Sequence, residues 1–389
     1  MLVLIPILAM LALVFVRPGV KKISVRKFCL ILGGGLILCL GIRSLLPEGW
    51  IYAEGEVISR VRGQVHHLLH TPEWQKHPVI LLEGSSATQF GIDGVLLEKL
   101  LAEHRVPVTV LQFSLSGANH FERLFMMQLF FEELGKKHRE ELRKAPTILL
   151  SEVFDAYDKE PLYLWEKEAY SDRAIAWTTP RNILAIYKNG AVYNKLSDSG
   201  TDPFSRISGT DPFLWPLLEH LLLNRFMVGL FSSMQPLNYG KKVDGFFPLK
   251  GTKKTFHYQV AEKEFKEAVT DKTVVQENVM NIPYPGWSSY YQELQHQLEP
   301  VVSFMGFYAL PTIEPQRRVY QLAFSQKLPP NTTMLGPASL DVMQSLLKEE
   351  YWFDGVHPQG SGAILFTEWL AQEIVSKWPG ILSKSWKNQ

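Results

Sequence analysis

Residues 78–86 read Pro-Val-Ile-Leu-Leu-Glu-Gly-Ser-Ser. The apolar run 78–82, closed by Gly84 just beyond it, has the length and continuity of a strand buried on both faces, the habit of parallel sheets. Working outward, Asp93 is placed to cap a helix running to about residue 104, with Leu96, Leu97, Leu100 and Leu101 on one face. Residues 106–113 are rich in β-branched side chains and read as the next strand. Asn119 can cap a long helix to about residue 144, and Glu122 three positions on completes a capping-box pattern. Residues 147–150 form a third strand. Strands alternating with helices through short connections predict an α/β fold built on a parallel sheet.

Beyond Asp155 this alternation stops. Residues 156–300 are rich in Trp, Tyr, Pro and Gly and read as a large insertion. The insertion holds a short repeat, Gly200-Thr201-Asp202-Pro203-Phe204 and Gly209-Thr210-Asp211-Pro212-Phe213, which marks two successive turns. Residues 213–234 have a broad apolar helical face. The α/β pattern resumes near Ser288, with helical stretches, a strand-like segment at 319–324 and a final helix over about 362–378.

Upstream, residues 2–16 are almost wholly apolar, then come Arg17, Lys21, Lys22, Arg26 and Lys27, then a second apolar run at 28–42. Fifteen residues rise roughly 22 Å as a helix, short of a ~30 Å hydrocarbon core, although residues 44–46 lengthen the second run. The charges follow the first run rather than precede it, which is not the order of a signal peptide. Five basic residues in a short linker suit a cytoplasmic loop. Two readings stand: a hairpin of two short membrane helices, or one anchor at 28–46 with the first run at the interface. Both put the large domain outside the cytoplasm. The expected organisation is a membrane anchor at 1–47, a juxtamembrane lead-in at 48–77, and an α/β domain at 78–389 that carries the insertion.

The 389 residues carry 40 Lys+Arg against 39 Asp+Glu, a balance that argues against nucleic acid as a partner. Hydrophobic residues at 46% exclude a disordered chain. The only two cysteines, Cys29 and Cys39, both lie in the second apolar run, so the rest of the chain has no disulfide framework and no cysteine-based metal site.

Two short motifs carry chemistry. In the Gly84-Ser85-Ser86 turn, Ser86 falls at the C-terminal end of a parallel strand, where open α/β sheets place their ligands. A serine there has its own backbone N–H available as an oxyanion donor beside a helix N-terminus. The second motif is Asp354-Gly355-Val356-His357-Pro358, before Gly360, Gly362 and the last helix. Asp354 and His357, three residues apart in a tight loop, can fix one imidazole tautomer and aim it at a serine. The structural alternatives are an ordinary turn and a surface loop with a capping Asp. His66, His67 and His70 contain an i, i+4 pair, but with no third ligand in the run they read as a helix face, not zinc ligands. Trp165, Trp177, Trp215, Trp287, Tyr290 and Tyr291 can stack on sugars or simply fill a core, and the Lys253-Lys254 and Arg317-Arg318 pairs read as solvated surface.

A serine after the first strand combined with Asp-x-x-His before the last helix resembles the SGNH (GDSL-like) hydrolase superfamily. The resemblance covers the elements of 78–155 and 288–378 and not the insertion. It implies a three-layer domain with Ser86 as nucleophile, His357 as base and Asp354 as orienting carboxylate. It also implies an oxyanion hole from the N–H groups of Ser86 and Gly117, the latter within Phe-Ser-Leu-Ser-Gly-Ala-Asn-His at 113–120. Two departures stand out. Ser85 occupies the place of the family's usual Asp, and Ser151-Glu152-Val153-Phe154-Asp155 replaces its Gly-x-Asn-Asp block, leaving no asparagine for a third oxyanion donor. The anchor, the Gly-Ser-Ser turn and the insertion look most like the envelope acyl-transfer branch, which includes the D-alanine transfer and alginate O-acetylation proteins. That likeness implies an acylated donor, a glycan acceptor and a membrane-bound O-acyltransferase partner, with no metal and no organic cofactor. The function expected is a membrane-anchored, extracytoplasmic serine esterase or acyltransferase. The alternative is a non-catalytic scaffold or glycan-binding partner that kept the fold.

Overall fold

The computed structural model describes residues 52–116, 120–153, 246–270, 298, 301–326, 328 and 332–378. The chain divides into two compact units, Met1–Ile58 with Leu162–Asn238, and Ser59–Pro161 with Tyr239–Gln389; the sheet and the site below belong to the second.

That unit holds helix α1 (Tyr52–His70, from Ser59 on), strand β1 (Val79–Gly84), helices α2 (Ser86–Gly91) and α3 (Gly94–Glu103), β2 (Thr109–Ser114), α4 (His120–Lys144) and β3 (Thr147–Glu152). Within the last part of the insertion lies α5 (Tyr258–Thr270), and after it come β4 (Phe304–Tyr308), α6 (Pro315–Gln326), β5 (Thr333–Leu335), α7 (Leu340–Leu346) and α8 (Gly360–Lys377). The five strands form one sheet in the order β2-β1-β3-β4-β5, and every pairing is parallel. The expected α/β class and parallel sheet are therefore present.

Every residue of β1, β2 and β3 is buried, which explains why β1 reads as a continuous apolar run rather than an alternation. Side chains alternate between faces. Ile80, Leu82, Val110, Ile148 and Leu150 join Leu97 and Leu101 of α3 and Phe366, Leu370 and Ile374 of α8 in one core. On the other face Phe113 packs against Phe130 of α4 at 4.8 Å between ring centres, and Phe307 against Phe324 of α6 at 5.3 Å. Each such side chain, once buried, contributes about 1.5–3 kcal/mol.

Asp93 caps α3 as expected, its carboxylate accepting the N–H groups of Val95 and Leu96 at 3.1 and 3.0 Å. Helix α4 is broken at Gly135, whose φ of 71° is open to glycine and strained for other residues. Asn119, its expected cap, lies outside the described residues.

Several expectations need correction. The segment 319–324 is helical, part of α6, not a strand. It buries Val319, Ala323 and Phe324, a spacing of four to five that six apolar-rich residues cannot distinguish from alternation. The strand expected at 106–113 starts at Thr109, and the third strand runs on through Ser151 and Glu152. Strands β4 and β5 were not expected at all. Arg318 is no solvated surface residue: it is 3% exposed and donates to the Ala338 carbonyl at 2.5 Å, and its burial pulls the guanidinium down to about 10.

The lead-in contributes to the fold as α1. Gln64 accepts the Gln112 N–H at 2.8 Å and Arg60 donates to the Ser114 carbonyl at 2.7 Å, so α1 satisfies polar groups of edge strand β2. The final part of the insertion also packs on the domain, with Phe246, Tyr258 and Phe265 buried. The expected turns and helix of 200–234 and the six aromatics fall outside the described residues, as do both apolar runs of 1–47. Among the described residues no helix is long and apolar enough to cross a membrane.

Candidate active site

The strand order reverses between β1 and β3: the chain leaves β1 toward β2, and later returns to build β3, β4 and β5 on the other side. Such a reversal opens a crevice at the C-terminal ends of the strands, where the diverging connections leave room for a ligand. Ser86 stands at that place as the first residue of α2. The preceding Ser85 caps the helix, its hydroxyl accepting the Ala87 N–H at 3.3 Å. Ser86 thus sits among the first N–H groups of a helix, which have no partner within it.

His357 Nε2 lies 2.8 Å from Ser86 Oγ, across 271 residues of sequence. On the far side of the ring, Nδ1 is 2.9 and 3.0 Å from the two oxygens of Asp354. A carboxylate can only accept at this distance, so Nδ1 carries the proton and Nε2 is left to accept from the serine. The backbone N–H groups of Val356 and His357 also donate to Asp354 Oδ1, at 3.0 and 2.8 Å. Burial alone pushes the Asp354 carboxyl up. Its hydrogen bond and charge interaction with His357, together with the two backbone donors, outweigh that and hold it down at about 2.

The loop that carries Asp354 and His357 is braced from three sides. Thr312 Oγ1 and the Ile313 N–H both donate to the Gly355 carbonyl, at 3.0 and 3.1 Å. The Phe353 N–H donates to the His357 carbonyl at 2.9 Å, which closes the turn. Phe90 of α2 meets the imidazole edge-on at 5.5 Å. Residues from the end of the insertion tie in as well: the Phe247 N–H donates to the Gln89 carbonyl at 3.0 Å and the Gly360 N–H to the Leu249 carbonyl at 3.0 Å. The His357 and Asp354 side chains remain 22% and 20% exposed, so the site is open to a substrate.

Beneath Ser86 lies a buried polar layer that the motifs did not reveal. Glu83 and Arg123 form an ion pair with both side chains fully buried, and Ser151 Oγ donates to the second Glu83 oxygen at 2.5 Å. Arg123 also donates to the Glu152 carbonyl at 3.3 Å. Glu152, at the end of β3, accepts from the Ser85 N–H at 2.5 Å, from Ser85 Oγ at 3.0 Å and from Thr88 Oγ1 at 2.8 Å. The Tyr308 hydroxyl donates to the Glu83 carbonyl at 3.0 Å and lies 2.5 Å from Thr88 Oγ1. Its burial, with the Glu152 charge, raises the phenol well above its ordinary range, so it stays a donor. One sequence signal for this layer existed: in Leu82-Glu83-Gly84 and Leu150-Ser151-Glu152 an acidic residue ends an apolar strand, and buried carboxylates require partners.

The structure thus brings together Ser86, His357 and Asp354. Gly117, the second expected oxyanion donor, lies outside the described residues. The histidines of α1 gather no metal site: His66 and His70 stack on each other at 3.8 Å, and His67 pairs with Glu98 at 2.9 Å. Among the described residues no cluster of three potential metal ligands occurs. No family model matches the chain, and no curated protein matches it.

Proposed function

We propose that this chain is a serine esterase or acyltransferase of SGNH type, acting on an acyl ester or thioester. The observation that carries the reading is the continuous relay from Ser86 Oγ through His357 to Asp354. Ser86 attacks the acyl carbonyl carbon as its hydroxyl proton passes to His357 Nε2, and Asp354 stabilises the imidazolium. The Ser86 N–H, and by resemblance that of Gly117, stabilise the oxyanion. As the intermediate collapses, the leaving oxygen or sulfur takes the proton from His357. A sugar hydroxyl or water, deprotonated by the same nitrogen, then releases the acyl group from Ser86 and restores the enzyme.

The resemblance to envelope acyl-transfer proteins extends this reading. The two apolar runs of 1–47 anchor the chain in a membrane with its catalytic domain outside the cytoplasm, beside a membrane-bound O-acyltransferase that delivers the acyl group for a cell-envelope glycan. The relay weighs against a scaffold that has lost activity, because a non-catalytic fold has no need to hold three such side chains in register.

The test is covalent labelling of the full chain in detergent with a fluorophosphonate. The wild type should be labelled and Ser86→Ala and His357→Ala should not. A folded wild type that resists the probe, both in detergent and in native membranes, would overturn the serine-enzyme reading in favour of the scaffold.

A further inference from the structure

The geometry points to Glu152 as the positioning residue of the nucleophile turn, an inference that rests on the serine-enzyme reading of Ser86. Glu152 does not touch Ser86. Its carboxyl group grips the turn on both sides of it: the Ser85 N–H and Oγ one residue before, and Thr88 Oγ1 two residues after. These three contacts span the strand-to-helix junction that decides where Ser86 Oγ stands relative to His357 Nε2. Glu152, 2% exposed, holds the junction from below at both Ser85 and Thr88, while Tyr308 and Gln112 meet it at Thr88 alone.

Two further observations make the same assignment. Gly84 ends β1 where a Cβ would run into Thr88, 2.2 Å from its Oγ1 and 2.6 Å from its Cβ, and come 2.7 Å from Glu152 Oε2, so the glycine of the Gly-Ser-Ser turn leaves room for the Thr88–Glu152 contact. The second is the buried layer around it. Arg123 holds the Glu152 main chain by its carbonyl while pairing with Glu83, and Tyr308 bridges from the Glu83 carbonyl to Thr88, the residue Glu152 itself holds. Glu152 is thus fixed at its backbone and through its partners, and hands that fixed position to Ser85 and Thr88. It falls within Ser151-Glu152-Val153-Phe154-Asp155, the stretch that departs from the Gly-x-Asn-Asp block.

The experiment measures labelling of the full chain in detergent over a range of fluorophosphonate concentrations, separating the maximal rate from the half-saturating concentration. Glu152→Ala should lower the maximal rate by about tenfold or more while the half-saturating concentration changes little, since the probe still binds but the serine is misplaced. Glu152→Gln keeps an oxygen for the Ser85 N–H and should recover the rate to within about threefold of wild type. A folded Glu152→Ala protein labelled at the wild-type rate overturns the assignment. Should Glu152→Ala fail to fold, Thr88→Val removes one of the three contacts with little change in shape; it should slow labelling severalfold, and an unchanged rate overturns the assignment equally. A wild type that is not labelled defeats the serine reading instead. The clamp is then judged by the Ser85 amide proton, which so short a bond to a carboxyl oxygen shifts far downfield in the NMR spectrum. Its absence downfield, or its persistence there in Glu152→Gly, overturns the clamp by itself.

Discussion

The two halves of the candidate site are built on opposite plans. His357 is oriented by its own loop: Asp354 is three residues away, the turn closes on its own backbone, and both side chains remain partly exposed. Ser86 is oriented by the whole sheet: Glu83, Arg123, Ser151 and Glu152 come from β1, α4 and β3, all buried, with sequence separations of up to 69 residues between them. A local device can be altered without disturbing the fold. A distributed, buried one is altered only at a cost in stability, because the groups that aim the serine also satisfy each other's desolvated charges.

That contrast can be broken at several points. The largest effect is expected on reactivity alone. Asp354→Asn leaves a side chain of the same shape but offers an amide where Nδ1–H needs an acceptor, so the wrong tautomer competes; labelling should slow by about 10³–10⁴-fold with the fold intact. A variant that no longer folds at neutral pH would show that the loop is no local device. Next comes Arg123→Leu, which strands the Glu83 carboxylate in the core. It should cost about 3–5 kcal/mol in denaturant unfolding, and a loss below about 1 kcal/mol would show that the buried pair does not hold the fold.

The smallest effect is the pH response of the loop. The Asp354 carboxyl is held near 2 in the fold against an ordinary value of 3.8. A carboxyl lowered by folding adds stability that is complete above the unfolded value and disappears as pH falls through the folded one. The wild type should therefore lose its stability advantage over Asp354→Asn between about pH 4 and pH 2, and an advantage that stays constant across that window would contradict the interactions assigned to Asp354.

The same contrast explains what could be read from sequence. Asp354 and His357 announce themselves because their partnership is local and leaves a spacing in the chain. The strand read at 78–82, observed at 79–84, and the cap at Asp93 were legible for similar reasons, since a buried parallel strand and a helix start each have a short signature. Glu152 and Arg123 were not: an acidic residue ending an apolar strand hints at a buried carboxylate, but the partners lie 64–67 and 40 residues away and no spacing in the chain names them. Strand β4 escaped for another reason. Phe304-Met305-Gly306-Phe307-Tyr308 has neither alternation nor β-branching, and it is a strand because β3 offers it a register, Ile148 to Phe304 through Glu152 to Tyr308.

Helix α1 carries a consequence of a different kind. Strand β2 lies at the border of the sheet, and a bare border exposes a row of amides and carbonyls ready to accept any passing extended chain. Gln64 and Arg60 occupy two of those positions, at Gln112 and Ser114, from outside the sheet. The helix that leads into the domain is therefore also its seal against pairing with copies of itself, and a shortened version of this protein that begins at β1 would present that border unguarded.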